Sequence, residues 1–226
     1  MVEAGAGRRS GLLLPALFGV GGTLILVCLS VWQVQRLEWK NALVAEIDAR
    51  ASGPEQALPE RPDPETHRYL PVSLTGGFAE GEVHVLTSRR FEGPGFRIIQ
   101  AYETEGRRIL VDRGFVPEAA KTAARPGTEF VTGHLHWPRE VDAFTPDPNL
   151  ARNIWFARDV EAMAAALETE PVLLVASAPT GGEVQPMPVT VRLRNNHLQY
   201  AITWALMAVG WLAMTVLLVL RQRRSR

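Results

Sequence analysis

Asn195-Asn196-His197-Leu198-Gln199-Tyr200-Ala201-Ile202-Thr203-Trp204 opens the run that decides how this chain is built. From Leu198 to Leu220 there is no charged side chain, and Arg221, Arg223, Arg224 and Arg226 follow at once. A hydrocarbon core about 30 Å thick needs roughly 20 apolar helical residues to cross it. The run is long enough, and its ends carry a membrane helix's markers. His197 stands at the entrance, with Tyr200 and Trp204 just inside, where amphipathic rings belong. Residues seven apart share a helix face. His197, Trp204 and Trp211 are so spaced, and Ala201 and Ala208 between them leave space beside the rings. Headgroup depth accounts for Trp204 but not for Trp211, which lies near mid-span. Trp211 is therefore expected against another helix or a flat ligand. Ionisable residues at membrane helices are functional candidates, and neutral imidazole is the commonest metal ligand. His197 can equally serve a structural hydrogen bond, and spacing alone does not choose between the two.

Residues 11–32 form a second uncharged run, with Arg8 and Arg9 in front. It is too long for a signal-peptide core and no A-x-A cleavage site follows, so it reads as an uncleaved anchor. With only ten residues ahead of it, no mitochondrial transit peptide is visible, which favours a bacterial inner membrane. Gly19, Gly21 and Gly22 lack the strand context of a phosphate loop. Small residues in a membrane helix admit another helix closely, and the run after His197 is the expected partner. Cys28 is the only cysteine and lies inside this run, so the middle of the chain holds no disulfide and no CxxC site.

The overall charge is balanced, but residues 36–197 hold 18 Lys+Arg against 23 Asp+Glu. An acidic middle excludes the phosphate neutralisation on which nucleic-acid binding rests. Basic clusters outside both runs put both termini in the cytoplasm and export the middle. Trp32, Gln33, Arg36, Trp39, Lys40, Leu43 and Ile47 keep helical spacing past the membrane, until Ser52-Gly53-Pro54 stops it. The Pro- and acid-rich stretch that follows reads as a linker. Tyr69–Leu74, Val83–Arg89, Phe96–Glu103, Arg108–Val116 and Phe130–Trp137 read as strands. Ile154–Ala157 reads as a short strand, Asp159 as the N-cap of a helix through Leu167, and Val172–Ala176 and Val189–Leu193 as the last strands. The fold class is a membrane α+β protein, with two transmembrane helices flanking an exported, mostly antiparallel β domain with one or two helices. Its parts are a cytoplasmic tail at 1–10, a membrane helix at 11–33, a juxtamembrane helix at 34–52, a linker at 53–65, the exported domain at 66–196, a membrane helix at 197–220 and a tail at 221–226.

Catalytic constellations are scarce. The chain has no G-x-S-x-G elbow and no H-E-x-x-H. His134 and His136 share a strand face, but without further ligands surface histidines explain them better than a metal pair. Asp112-Arg113-Gly114 reads as an ion pair leading into a turn rather than as an acid–base site.

Three stretches in one order resemble the surfeit-locus family of cytochrome c oxidase assembly factors. Trp32-Gln33-Val34-Gln35-Arg36-Leu37-Glu38-Trp39-Lys40 is similar to the family's W-Q-x-x-R-x-x-W-K. Val111-Asp112-Arg113-Gly114-Phe115-Val116-Pro117 is similar to V-N-R-G-[WF]-V-P, with Asp112 in place of the usual Asn. Asn195 to Trp204 is similar to N-x-H-x-x-Y-A-x-T-W. The resemblance implies a non-catalytic protein that binds haem a transiently and helps its insertion into the oxidase catalytic subunit. It implies His197 as the haem iron ligand, with Trp204, Tyr200, Trp32, Gln33 and Arg36 around the macrocycle. Arg36, Lys40, Arg192 and Arg194 are the cations available to the propionates. The oxidase catalytic subunit, haem a synthase and membrane lipid are the implied partners, and nucleic acid is not one. A scaffold that stabilises an oxidase assembly intermediate without binding haem is the alternative. A membrane-anchored hydrolase is a weaker one, since no nucleophile–base pair can be named.

The topology has a direct check. A reporter active only outside the membrane should be active when fused after Gly127 and silent when fused after Arg226; the reverse pattern would overturn it.

Overall fold

The computed structural model describes residues 10–189 and 195–224. It falls into two compact units, a helical one from Met1–Glu46 with Arg192–Arg226 and a sheet-based one from Ile47–Val191. The strand expected at Val189–Leu193 lies almost wholly outside the described residues.

In the helical unit, α1 spans Ser10–Ala51, and its last turn belongs to the sheet unit. Its 42 residues, at 1.5 Å each, make about 63 Å, roughly twice a hydrocarbon core. Helix α3 spans His197–Arg224. Both are long and apolar enough to cross a membrane. They run antiparallel, and the glycines of α1 set how closely. A Cβ on Gly19 would overlap the Thr215 side chain, and one on Gly22 would stand 2.5 Å from Trp211 Nε1, whereas Gly21 has open space. Into the groove so made goes Trp211, whose Nε1 donates to Gly19 O at 3.1 Å while its ring lies 5.5 Å from that of Phe18. Small residues that let backbones approach, with side-chain-to-backbone bonds as glue, are how helices associate where lipid removes the hydrophobic drive. The glycine partner and the inward Trp211 are as expected. The alanines are used differently. Ala201 and Ala208 are both buried, and Ser30 Oγ donates to Ala201 O at 2.9 Å. The space beside the rings is taken by α1.

Among the described residues, the sheet-based unit carries six strands: β1 Pro71–Thr75, β2 Gly77–Arg89, β3 Gly93–Thr104, β4 Arg107–Pro117, β5 Phe130–Leu135 and β6 Leu173–Ala176. They form one sheet in the order β1-β5-β6-β4-β3-β2. Every pairing is antiparallel except β4 with β6. That parallel pair has no local turn signal, since helix α2, Val160–Leu167, lies in the connection. Ile154–Ala157 makes isolated bridges, Val85 to Trp155 and Asn149 to Ile154, rather than a strand.

Alternation sends neighbouring residues to opposite faces, and both faces are covered. Leu110, Leu173 and Val175 pack with Val160, Met163, Ala164 and Leu167 of α2. Asp159 starts that helix by accepting from Ala162 N at 3.0 Å. Ile109, Val111, Leu174 and Tyr102 face the other way and pack with Leu58 and Leu70. The stretch expected as a linker carries no strand or helix of its own, but it is tied to the sheet at isolated points. Gln56 N donates to Pro71 O at 3.1 Å, Ser73 N donates to Gln56 O at 3.0 Å, and Arg107 Nη1 donates to Pro59 O at 2.7 Å.

The Asp112-Arg113-Gly114 stretch does not lead into a turn. It lies inside β4 at a bulge, where the register against β3 shifts between Ile98 and Ile99. Nor do Asp112 and Arg113 pair with each other. Asp112 binds Arg97 Nε at 2.8 Å and Arg158 Nη1 at 3.3 Å. Arg113 is fully buried and donates to Gln100 Oε1, Arg125 O, Pro126 O, Thr180 O and Gly181 O, with its Nε on Thr180 Oγ1. Its Cζ lies 4.3 Å from the centre of the Phe78 ring. Burial pulls its pKa down to about 10, against the opposing field of Glu82. Gly114 has φ +117°, and a Cβ there would overlap Gln185 O. That approach is needed because Phe115 and Gln185 exchange backbone bonds of 2.7 and 2.9 Å.

Gly114→Ala should therefore cost roughly 2–4 kcal/mol in unfolding free energy, combining backbone strain with loss of the Gln185 bridge. Gly77→Ala, which meets open space, should stay within about 0.5 kcal/mol. Near-UV circular dichroism against urea measures both, and equal effects would remove the close-approach explanation.

Candidate functional site

The membrane entrance is built from the ends of two helices. The Asn195 side chain accepts from His197 N at 3.4 Å and donates to Asn41 Oδ1 at 3.0 Å, joining the start of α3 to α1. Further along the helix pair, His197 Nδ1 lies 2.6 Å from Gln33 Oε1. An amide oxygen accepts only, so Nδ1 is the donor, and in the neutral ring this tautomer leaves the lone pair on Nε2. This is how metal-binding imidazoles are usually held: the far nitrogen is tied, which fixes tautomer and ring direction.

The structure thus brings together two of the six expected site residues, His197 and Gln33, although 164 positions separate them. Trp32 and Tyr200 are about half exposed at the same end of the helix pair. Trp204 is half-buried one turn beyond Tyr200. Arg36 is occupied with Trp39, its Cζ 4.0 Å from the ring centre. Arg192 and Arg194 lie outside the described residues.

In the sheet unit, the two histidines of the candidate metal pair have separate employments. His134 Nε2 makes a 2.9 Å hydrogen bond with Ala51 O and so holds the C-terminal end of α1, where carbonyls lack helical partners. His136 is not a surface histidine. It packs 5.5 Å from the Tyr69 ring, and its Nδ1 is buried without a hydrogen-bond partner. Burial first, then the charges of Arg158 and Arg68, push its imidazole down to about 4. Around it stands a charge cluster the sequence reading missed: Arg97 and Arg158 on Asp112, and Arg158 on Glu140 at 2.5 Å. Burial alone would raise the Glu140 carboxyl, but the Arg158 guanidinium outweighs it and holds the group below its ordinary value. The one sequence signal was a charged pair inside an otherwise apolar strand, Val111-Asp112-Arg113, which a soluble edge would not need.

Comparison with known proteins decides the kinship. The SURF1 family model matches residues 21–209, a stretch that holds all three motifs. The chain belongs to the SURF1 family. Members of this surfeit-locus family are cytochrome c oxidase assembly factors. A SURF1-like protein of Monosiga brevicollis is 34% identical, with 95% of this chain and 90% of the relative aligned. Surfeit locus protein 1 of Gallus gallus is 31% identical over 80% of this chain, and that of Homo sapiens 30% over 78%. Those two are covered over 67% and 68% of their own lengths. Within the SURF1 frame, the tied histidine belongs to the third motif and its tether, Gln33, to the first.

The depressed His136 sets a pH response. The folded imidazole titrates near 4 and the ordinary value is 6.5, so on acidification the unfolded chain takes up its proton first. Stability is complete above pH 6.5 and drains as the pH falls towards 4. After allowance for partial solvent screening, the loss is about 1–3 kcal/mol. His136→Gln should flatten this limb of the stability–pH curve in urea titrations at pH 4–7; an unchanged slope would assign it to another group.

Proposed function

We propose that this protein is a cytochrome c oxidase assembly factor that takes haem a as cargo at the outer end of its helix pair and assists its insertion into the oxidase catalytic subunit. The observation that carries the reading is the 2.6 Å bond from His197 to Gln33, which leaves Nε2 of a membrane-entrance histidine available to iron. An axial histidine is a common haem ligand. The exposed rings of Trp32 and Tyr200 are flat apolar surface where a macrocycle needs it, and lipid beside them suits the hydrocarbon tail of haem a. Arg36 supplies a guanidinium at the same end for a propionate, because charge-assisted bonds to carboxylate suit Arg. Trp32 and Tyr200, rather than Ala201, would hold the macrocycle, because Ala201 is buried.

The chain does no bond chemistry in this role. His197 binds, Gln33 orients it, and the bilayer excludes water from the tail. A single iron–nitrogen bond on a mostly exposed platform favours release to a receiving subunit over retention. Haem a synthase is the matching donor. The arginine-rich flanks of both spans support cytoplasmic termini in a bacterial inner membrane, with the sheet unit on the periplasmic side.

Co-expression with haem a synthesis, followed by an absorption spectrum of the purified protein, tests the reading. His197→Ala should accumulate normally in the membrane, lose the haem band and lower oxidase haem content. Gln33→Leu should keep the band but weaken haem binding about tenfold or more, as loss of an orienting partner does. Trp204→Ala should weaken it less than His197→Ala. A full, unshifted spectrum in His197→Ala would transfer the role to a scaffold that stabilises an oxidase intermediate without haem.

A further inference from the structure

We propose that the sheet-based unit holds a second binding site, separate from His197, for a singly charged carboxylate borne on an apolar or aromatic body, in the cavity between Arg97, Arg158, His136, Tyr69 and Met187. The cavity has a volume of about 420 Å³ and is closed along one side by Pro186, Met187, Pro188 and Val189. That is within the range of small-molecule sites, which combine apolar walls with a few convergent polar groups.

The charges argue for an anion. Arg97 and Arg158 are each largely buried and share the one carboxylate of Asp112, which is wholly buried. Glu140 on Arg158 is the second acid, and Arg68, which lines the adjoining pocket rather than this cavity, adds its charge to the field at His136. Around the imidazole, three guanidinium groups therefore stand with two carboxylates. Arg89, on the rim, is already matched by Glu92 at 2.9 Å. One negative charge completes the set. An uncompensated buried cation is costly, whereas a guanidinium fork accepts a planar carboxylate through two bonds.

The remaining walls argue for the body attached to that charge. The Tyr69 ring, Met187 and the two prolines offer ring faces and a thioether rather than further donors. Met adapts to irregular apolar shapes and favours aromatic neighbours. Arg97 also donates through Nη2 to Met187 O at 2.8 Å, so the charged end and the apolar wall are held to each other. The orphaned Nδ1 of His136 adds a group that becomes a donor once an anion arrives.

Benzoate is the probe, with its neutral isostere benzamide and inorganic phosphate as comparisons. The full-length protein in nanodiscs, carrying ¹³C-labelled histidine, is titrated at pH 6.5 and the His136 resonance followed. Benzoate should give a saturable one-site shift and raise the pH at which His136 titrates, because an anion favours the imidazolium against Arg158 and Arg68. Benzamide and phosphate should bind at least tenfold more weakly. Arg97→Gln should weaken benzoate at least tenfold; Met187→Glu, which keeps every arginine and places a carboxylate in the cavity, should do the same if the first variant does not fold. His197→Ala should leave benzoate binding unchanged, so that failure of the haem reading and failure of this one are separable. No saturable shift with benzoate, benzamide binding as tightly, or phosphate binding more tightly would each overturn the assignment.

Discussion

The sheet-based unit depends on two opposite charges buried side by side in β4 and facing different partners. Asp112 gathers Arg97 and Arg158, which come from β3 and from the turn before α2. Arg113 gathers the carbonyls of Arg125, Pro126, Thr180 and Gly181, which belong to two irregular segments with no ladder of their own. A bulge makes this arrangement available by adding one residue to the strand, and bulges re-aim side chains where regular pleating cannot. Thr180 O keeps a second donor in Thr128 N, but the carbonyls of Arg125, Pro126 and Gly181 would lose their bond to the guanidinium, at a cost that each unmade bond adds to. The glycine that follows admits Gln185 against the strand, and Gln185 opens the Pro186–Val189 wall of the arginine cavity. Three consecutive residues thereby close two loops and frame a pocket.

The helical unit solves a different problem. Lipid offers apolar surface everywhere, so apolar side chains alone cannot tell α1 where to meet α3. Glycine against tryptophan can. Gly19 and Gly22 provide the recess, Trp211 fills it, and its Nε1 spends its one donor on the Gly19 carbonyl that the recess exposes. Ser30 on Ala201 O and Gln33 on His197 follow the same side of α1 at one- to three-turn intervals. The register of the helix pair is what places an amide oxygen against the imidazole. A rotation of either helix would separate them, and His197 would lose its fixed tautomer. The candidate haem ligand is therefore oriented by packing near mid-membrane as well as by its own neighbours.

Much of this was legible in order along the chain. Both spans, the glycine-for-helix reading, the six strands of the sheet and the Asp159 cap came from periodicity, charge and local residue type, because those features act over a few residues; the three motifs came from resemblance to a known family. Composition gives the Pro- and acid-rich stretch from 54 to 65 no element of its own, and says nothing of the β1 edge that Gln56 finds. Alternation gives His136 a face and not a depth, and both faces of this sheet are covered, which leaves the residue half-buried.

By itself the sequence determined the membrane α+β class, the family and the residue types at the entrance, since hydrophobic length, flanking charge and motif spacing are properties of the chain as a string. Only the tertiary structure decided which groups meet. Gln33 reaches His197 across 164 residues, and Asp112 reaches Arg158 across 46. Whether a buried charge has a partner, and whether an imidazole is tied at one nitrogen, are fixed by distances of about 3 Å between segments whose approach is set by bulges, glycines and helix register. No local pattern carries that information, because the partner's position depends on every element that packs between the two.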